Sequence, residues 1–286
     1  MTRIDDVRRF LERYAPARFA EDWDNVGLLV GRADRPVRSV MTCLTITRAV
    51  VDECVAARAD LIVTHHPLPF QPLKRITDET VPGDLLLRII EARVAVYSPH
   101  TAFDSAARGI NQRLAESIGL GSIEAIVERS SGTESSVPAP DCGAGRWGLC
   151  GEPTSIGELA ERLRRVTAAR TVQLAGGIDD RVSRVAVACG SAGSFLDRAA
   201  RLGCELFVTG ETGLHTVLEA RARGVAMLLL GHYASERFAV ERLAEELARA
   251  FDGVRVWASG AETDPLDAIG CPPSADPLTD SPKPGS

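Results

Sequence analysis

Lysine is almost absent from this 286-residue sequence: Lys74 and Lys283 are the only two, although Lys and Arg together number 33. The arginines are scattered and the formal net charge is -6, so nothing in the charge pattern indicates a nucleic-acid partner. No apolar run reaches the roughly 18 residues that a membrane-spanning helix needs. The stretch 1–14 has dispersed charges and no apolar core, which predicts that it is not a signal peptide. A cytoplasmic protein without a membrane partner is therefore expected.

Cysteine patterns that indicate chemistry or cross-linking are also lacking. The seven cysteines are odd in number and form no CxxC pair. Cys43, Cys54 and Cys189 fall in apolar runs, which favours buried thiols in a reducing compartment. There is no GxSxG element and no convincing setting for a cysteine nucleophile. The sequence thus gives no support for a disulfide framework or for a serine or cysteine hydrolase.

What is present is typical of a globular α/β protein, with 45% apolar and 25% charged residues. Continuous apolar strands alternate with helical patterns, which predicts mostly parallel sheets covered on both faces. A segment rich in Ser, Gly, Pro and Ala separates two halves, and the last stretch is too polar and proline-rich to bury. The predicted organisation is a first α/β lobe at 1–128, a linker at 129–144, a second α/β lobe at 145–268 and a disordered tail at 269–286.

An internal repeat relates the two halves. The segments ADLIVTHH and CELFVTGE lie at the same distance after similar strands, VRSVMTCL and VSRVAVACG. In this alignment Asp60 matches Glu205, and each half later shows a His followed by an acid four positions on. Duplication is the simplest explanation, although βαβ units also resemble one another by chance. We therefore predict two similar α/β/α lobes whose strand-end residues meet in a cleft between them.

The five histidines occupy sites where ligands usually bind. Each follows an apolar strand or opens the next helix, a distribution that packing does not require; they stand at 65, 66, 100, 215 and 232. In LIVTHHPLPF, Pro67 ends the strand at His65 and His66, so both rings can reach one cleft. Histidine is the commonest metal ligand, and carboxylates complete such sites. This pattern favours metal binding over a surface role.

Two acids accompany these histidines at a spacing of four residues. His232 and Glu236 would share one helix face, although a first-turn Glu is also favoured by the helix dipole. Asp104 follows His100 by four positions and could equally cap the next helix. The GSAGS segment at 190–194 could hold a phosphate at a helix start, but it is neither GxGxxG nor a Walker loop, so a tight turn is favoured.

Several motifs together resemble the GTP cyclohydrolase I type 2 family, also called the NIF-three-like family. The resemblance covers about residues 1–268. Its motifs are DNVGLLVG (24–31), VTHHPLPF (63–70), HTAFDSAARGIN (100–111), GRWG (145–148), CGSAGS (189–194), FVTGE (207–211), GHYASER (231–237) and ETDPLDAI (262–269).

The resemblance implies a two-lobed α/β/α fold, a toroidal hexamer and a dinuclear metal site. The implied ligands are His65, His66, Asp104, His232 and Glu236, with Glu236 bridging both ions. This sequence departs from many members at Glu211, where they have Asp, and at Thr216, where they have a second His; the domain that longer members insert between the halves is also missing. Those departures concern the substrate pocket and leave the implied ligands intact.

The leading hypothesis for function is a dinuclear metal-dependent hydrolase acting on a nucleotide or a related phosphorylated small molecule. The family name suggests hydrolytic opening of the GTP purine ring. In that scheme two divalent ions, of zinc, manganese, iron, cobalt or nickel, lie in the cleft, and His100 or Glu211 is the general acid or base. The alternative is a non-enzymatic protein that binds metal and acts as a metal-handling or regulatory partner.

Overall fold

The computed structural model describes residues 1–128, 142–267 and 269, which form a mixed α/β protein with two main sheets. Most of the predicted linker and nearly all of the predicted tail therefore lie outside the described residues. The strands are β1 Gly27–Val30, β2 Ser39–Cys43, β3 Leu61–Thr64, β4 Ala95–Ser98, β5 Leu120–Glu124, β6 Val127–Glu128, β7 Gly143–Ala144, β8 Arg146–Ser155, β9 Gln173–Ala175, β10 Arg181–Ala188, β11 Leu206–Thr209, β12 Ala226–Leu229 and β13 Arg255–Ala258.

Nine α-helices accompany these strands in the described ranges. They are α1 Ile4–Tyr14, α2 Arg48–Ala56, α3 Val81–Glu91, α4 His100–Ser105, α5 Ile110–Ser117, α6 Ile156–Thr167, α7 Leu196–Arg201, α8 Leu214–Ala222 and α9 His232–Ala250. In these ranges no helix is both long enough and apolar enough to cross a membrane.

The first sheet has the order β1-β4-β3-β2-β13 and is mostly parallel, as the continuous apolar strands predicted. β2, β3, β4 and β13 run parallel, and β1 is antiparallel to β4. Every residue of β2, β3 and β4 is buried, because apolar clusters cover both faces of the sheet. The carboxyl ends of these strands therefore meet at one edge.

The second sheet has the order β5-β8-β10-β11-β12-β9 and is mixed, so the prediction of mostly parallel sheets is wrong for it. Only β10, β11 and β12 are parallel neighbours; β8 is antiparallel to β5 and β10, and β9 to β12. β8 is a half-exposed strand that contains Gly and Pro. It lacks the continuous apolar run on which the prediction relied. Such runs occur in β10, β11 and β12.

The two sheets also exchange strands across the predicted lobe boundaries. β5, from the first half, pairs with β8, whereas β13, from the second half, pairs with β2. The long helix α9 packs Ala239, Leu243 and Leu247 into the core of the first sheet. The division into two lobes at 128 and 145 stays a prediction, but the strand pairing within the two sheets crosses that division. The β6–β7 pair also places Gly143–Ala144, predicted as linker, in a small strand pair.

The aligned acids of the two halves make the same local contacts. Asp60 Oδ2 accepts hydrogen bonds from the backbone N–H groups of Arg38 and Ser39 at 2.8 and 3.1 Å. Glu205 Oε2 accepts equivalent bonds from Ser183 and Arg184 at 2.6 and 3.0 Å. In both halves a carboxylate just before one strand thus binds backbone N–H groups of the preceding strand, which holds the two strands side by side.

Candidate metal centre

Four of the five histidines converge at the carboxyl ends of the strands. His65 and His66 follow β3, His100 opens α4 after β4, and His232 opens α9 after β12. The ring centroid of His66 lies 5.1 Å from that of His65, 5.7 Å from His100 and 5.5 Å from His232. Residues from both sheets therefore form one cluster, as the spacing of the histidines predicted. His215 is exposed on α8 and is not one of the clustered residues.

Glu236 lies at the centre of this cluster with an almost fully buried side chain. Its Oε2 is 3.0 Å from His66 Nε2 and 3.2 Å from His232 Nε2, whereas its Oε1 is 4.0 Å from His65 Nε2. Burial opposes ionisation, but hydrogen bonds from His232 and His66 hold the pKa of Glu236 well below its ordinary value. The two carboxylate oxygens thus face different histidines.

His65 is a buried polar side chain without a hydrogen-bond partner. Among the described residues, neither its Nδ1 nor its Nε2 makes a hydrogen bond, and only 3% of the residue is exposed. Burial holds its pKa well below the ordinary value, so the imidazole is neutral and able to donate a lone pair. An unsatisfied buried imidazole is costly unless something else binds it, and a metal ion meets that requirement.

Asp104 stands beside His65, with its Oδ1 3.6 Å from His65 Nε2. Burial and the neighbouring charge of Glu236 raise the pKa of Asp104 to about 7. Asp104 Oδ1 and Glu236 Oε1 both approach His65 Nε2, and carboxylates together with imidazoles form a donor set that suits divalent cations. Among the described residues, two groups of three bring their donor atoms close enough to hold one ion: His65 with His66 and His100, and His66 with His232 and Glu236; Asp104 belongs to neither group.

The Nδ1 atoms of two imidazoles contact residues outside the cluster. His66 Nδ1 is 2.7 Å from Thr45 Oγ1, and His232 Nδ1 is 3.0 Å from Glu211 Oε1. The hydrogen bond to Glu236, together with the contact with Glu211, raises the pKa of His232 to about 9. Such outer contacts set ring orientation in metal sites. Glu211 is among the site residues predicted from the sequence, whereas Thr45 carries no motif of its own and is not.

His100 is oriented by Asp24, the first residue of the DNVG motif. Its Nδ1 lies 2.7 Å from Asp24 Oδ1, and the Asp24 side chain is fully buried. Burial opposes ionisation of Asp24, but hydrogen bonds from His100 and Thr101 lower its pKa to about 2. In return, although burial opposes it, Asp24 raises the pKa of His100. The motif could have suggested this contact, but the two residues are 76 positions apart.

Gly190 brings backbone directly against the cluster. Its φ is +63°, and a Cβ at this position would lie 2.3 Å from Glu236 Oε1 and 3.4 Å from His232 Nε2. Its N–H donates to Ser235 Oγ at 2.9 Å. Both the conformation and the close approach therefore require glycine at the first position of GSAGS.

Replacing Gly190 by alanine is expected to weaken metal binding by about tenfold or more, because the new Cβ displaces the Glu236 carboxylate. Metal retained per chain after dialysis measures this effect. Gly213→Ala is the matched control, since a Cβ there meets nothing within 4 Å and φ is -77°. Equal metal retention in the two variants would contradict the assignment.

The cluster opens into a cavity of about 800 Å³. His66, His100, Asp104, His232 and Glu236 line it; Glu211 belongs to the lining of a different, smaller cavity. The described lining further includes Glu21, Trp23, Phe70, Asn111, Cys189 and Phe195. The cavity is large enough for a nucleotide-sized molecule beside the histidines.

The sequence and the fold are both similar to those of known proteins. The sequence is 33% identical over 276 residues to a protein called NIF3 homolog from Schizosaccharomyces pombe, covering 92% of this chain and 97% of that protein. It is 33% identical over 275 residues to a GTP cyclohydrolase 1 type 2 homolog from Streptomyces coelicolor, covering 94% and 95%. The fold matches the crystal structure of a Bacillus cereus protein related to NIF3 with a TM-score of 0.83 and 23% identity, covering 94% and 99%.

A family model described as Duf34/NIF3 (NGG1p interacting factor 3) matches residues 2–265. This range includes every histidine of the cluster and both of its carboxylates. The chain therefore belongs to the Duf34/NIF3 family, in which relatives carry the name GTP cyclohydrolase 1 type 2 homolog.

Proposed function

We propose that this protein is a dinuclear metal-dependent hydrolase that acts on a nucleotide or another phosphorylated small molecule. The observation that carries the proposal is the position of Glu236, whose two oxygens face different histidines at the floor of an open cavity. A carboxylate in this position suits a bridge between two cations. The name shared by several relatives points to a nucleotide substrate but does not identify one.

The metal ligands are assigned to two sets according to which carboxylate oxygen of Glu236 they lie near. His65, Asp104 and Glu236 Oε1 would hold one ion, and His66, His232 and Glu236 Oε2 the other. Zinc, manganese, iron, cobalt and nickel all suit such a donor set. Two divalent ions held there supply a Lewis acid that acidifies water and stabilises negative charge in a displacement reaction.

His100 is the residue of this chain best placed for proton transfer. It lines the cavity, and its contact with Asp24 orients the ring and stabilises its protonated form. Glu211 touches His232 Nδ1 from outside the cavity lining. We therefore assign the acid or base role to His100, while Glu211 orients His232 as a positioning residue.

We further propose an origin of the fold by duplication, a cellular location and an assembly. The matched contacts of Asp60 and Glu205 favour a duplicated origin, with the site in the cleft between two similar lobes. A cytoplasmic location and a homohexameric assembly are proposed on the family resemblance.

Turnover by metal-loaded protein, measured against GTP and a panel of nucleotides and phosphoesters, tests the proposed function. His66→Ala is expected to abolish turnover, since it removes a group within 3.0 Å of the Glu236 carboxylate. His215→Ala is the control, because that exposed side chain lies outside the cluster. Full metal occupancy without turnover of any substrate would contradict the hydrolase and favour a metal-binding role.

A further inference from the structure

Two large aromatic side chains stand exposed at the metal cavity. Trp23 is 62% exposed and Phe70 46%, and both line the cavity. Their ring centroids are 5.9 Å apart at an interplanar angle of 70°. Exposed aromatic surface of this size is unfavourable in water and is typical of a binding site.

The loops that carry these side chains are fixed to each other. Asn25 Nδ2 donates to the carbonyl oxygen of Pro69 at 2.7 Å, which ties the residues next to Trp23 and Phe70 together. Asp24 accepts a hydrogen bond from the backbone N–H of Thr101 at 3.1 Å and contacts His100. The aromatic pair is therefore held in place before any ligand arrives, which reduces the entropic cost of binding.

The same pair lies close to the metal centre. The centroid of His100 is 6.2 Å from that of Trp23 and 6.0 Å from that of Phe70. It is also 5.1 Å from the centroid of His65. A single small molecule can thus contact the aromatic pair and the metal centre at once.

The charges of the residues that line the cavity limit which other groups the bound ligand can carry. Among the described residues that line the cavity, none is Lys or Arg, whereas Glu21, Asp104 and Glu236 are acidic. Two divalent ions held there would bring four positive charges, against which the lining sets the carboxylates of Glu21, Asp104 and Glu236. The excess positive charge is therefore small and matches one phosphoryl group at most, which carries roughly two negative charges at neutral pH. A triphosphate would bring excess charge that the described lining does not balance.

We propose that Trp23 and Phe70 form the ring-binding face of the substrate site, and that the substrate combines one planar heteroaromatic ring with a single phosphoryl group. This inference rests on the proposed function, because it assigns the phosphoryl group to the metal centre. It narrows the substrate class from nucleotides in general to molecules of the nucleoside monophosphate type.

Calorimetric titration of metal-loaded protein with AMP, ribose 5-phosphate and ATP tests the proposal. AMP is expected to bind at least about tenfold more tightly than ribose 5-phosphate, because base–aromatic stacking contributes that much. AMP is also expected to bind more tightly than ATP. Failure of AMP to bind at millimolar concentration, or equal affinity for AMP and ribose 5-phosphate, would overturn the ring-binding face. Tighter binding of ATP would overturn the single-phosphoryl assignment.

Two substitutions at Trp23 separate the contribution of aromatic stacking to affinity from that of side-chain size. Trp23→Leu is expected to weaken AMP binding about tenfold and leave ribose 5-phosphate unchanged, whereas Trp23→Phe retains most of the affinity for AMP. Leu214→Ala, at an exposed position that does not line the cavity, is the control. Equal loss for both ligands in Trp23→Leu would overturn the proposal. Metal content is measured in parallel: wild-type protein that takes up no metal contradicts the proposed function, whereas lost AMP selectivity at full metal content contradicts only the ring-binding face.

Discussion

Glu236→Gln is expected to reduce metal binding by more than about a hundredfold and to abolish stabilisation by added metal. The side chain has the same size in both proteins, so the core around α9 stays filled. The amide lacks the negative charge that faces His66 and His232 on one side and His65 on the other. Because one residue serves both proposed ions, its replacement removes a ligand from each of them.

Thermal unfolding with and without added metal measures this loss. A ligand that binds only the folded state stabilises it by about 2.7 kcal/mol at a hundred times its dissociation constant, so wild-type protein should melt at a clearly higher temperature when metal is added. Glu236→Gln should melt at the same temperature in both conditions. Glu245→Gln, with a carboxylate exposed on the same helix, is the matched control and should respond as the wild type does. A metal-induced rise of equal size in Glu236→Gln would refute the bridging position.

Local pattern was sufficient to predict where the clustered histidines and Glu236 lie along the chain. Pro67 ends the apolar strand at His65 and His66, and a spacing of four places His232 and Glu236 on one face at the start of α9. These features depend on neighbouring residues, whose geometry the backbone fixes. The convergence of the strand ends then follows from the parallel order of β2, β3 and β4.

Contacts between distant segments could not be predicted in this way. Glu262 accepts hydrogen bonds from the backbone N–H groups of Leu44 and Thr45 at 2.8 and 2.6 Å, and Thr45 in turn contacts His66. This contact depends on the return of β13 to the first sheet, which no local periodicity encodes. The antiparallel β8 was missed because most of its residues are half-exposed or exposed, unlike the apolar run of a buried parallel strand.

Arg146 joins the end of α4 to the start of β8 beside the site, and its replacement is expected to have the largest effect on folding. The residue is fully buried in the GRWG motif. Its guanidinium donates to the carbonyl oxygens of Gly143 and Gly145 at 2.6 and 2.7 Å. It also donates to the carbonyl oxygen of Ala106, two residues after Asp104, at 3.0 Å. One side chain thus holds the end of α4 against the start of β8.

Arg146→Met is expected to lower the free energy of unfolding by about 3–5 kcal/mol, because buried carbonyl oxygens lose charged donors that no water replaces. Urea unfolding measures this change. Arg146→Lys keeps the charge but not the planar fork, so it should fold with an intermediate loss and retain less metal, since the chain next to Asp104 is held less firmly. Arg249→Met, at a side chain that is 67% exposed, should change stability by less than about 0.5 kcal/mol. Wild-type stability and metal content in Arg146→Lys would show that this arginine does not position Asp104 for the proposed metal binding.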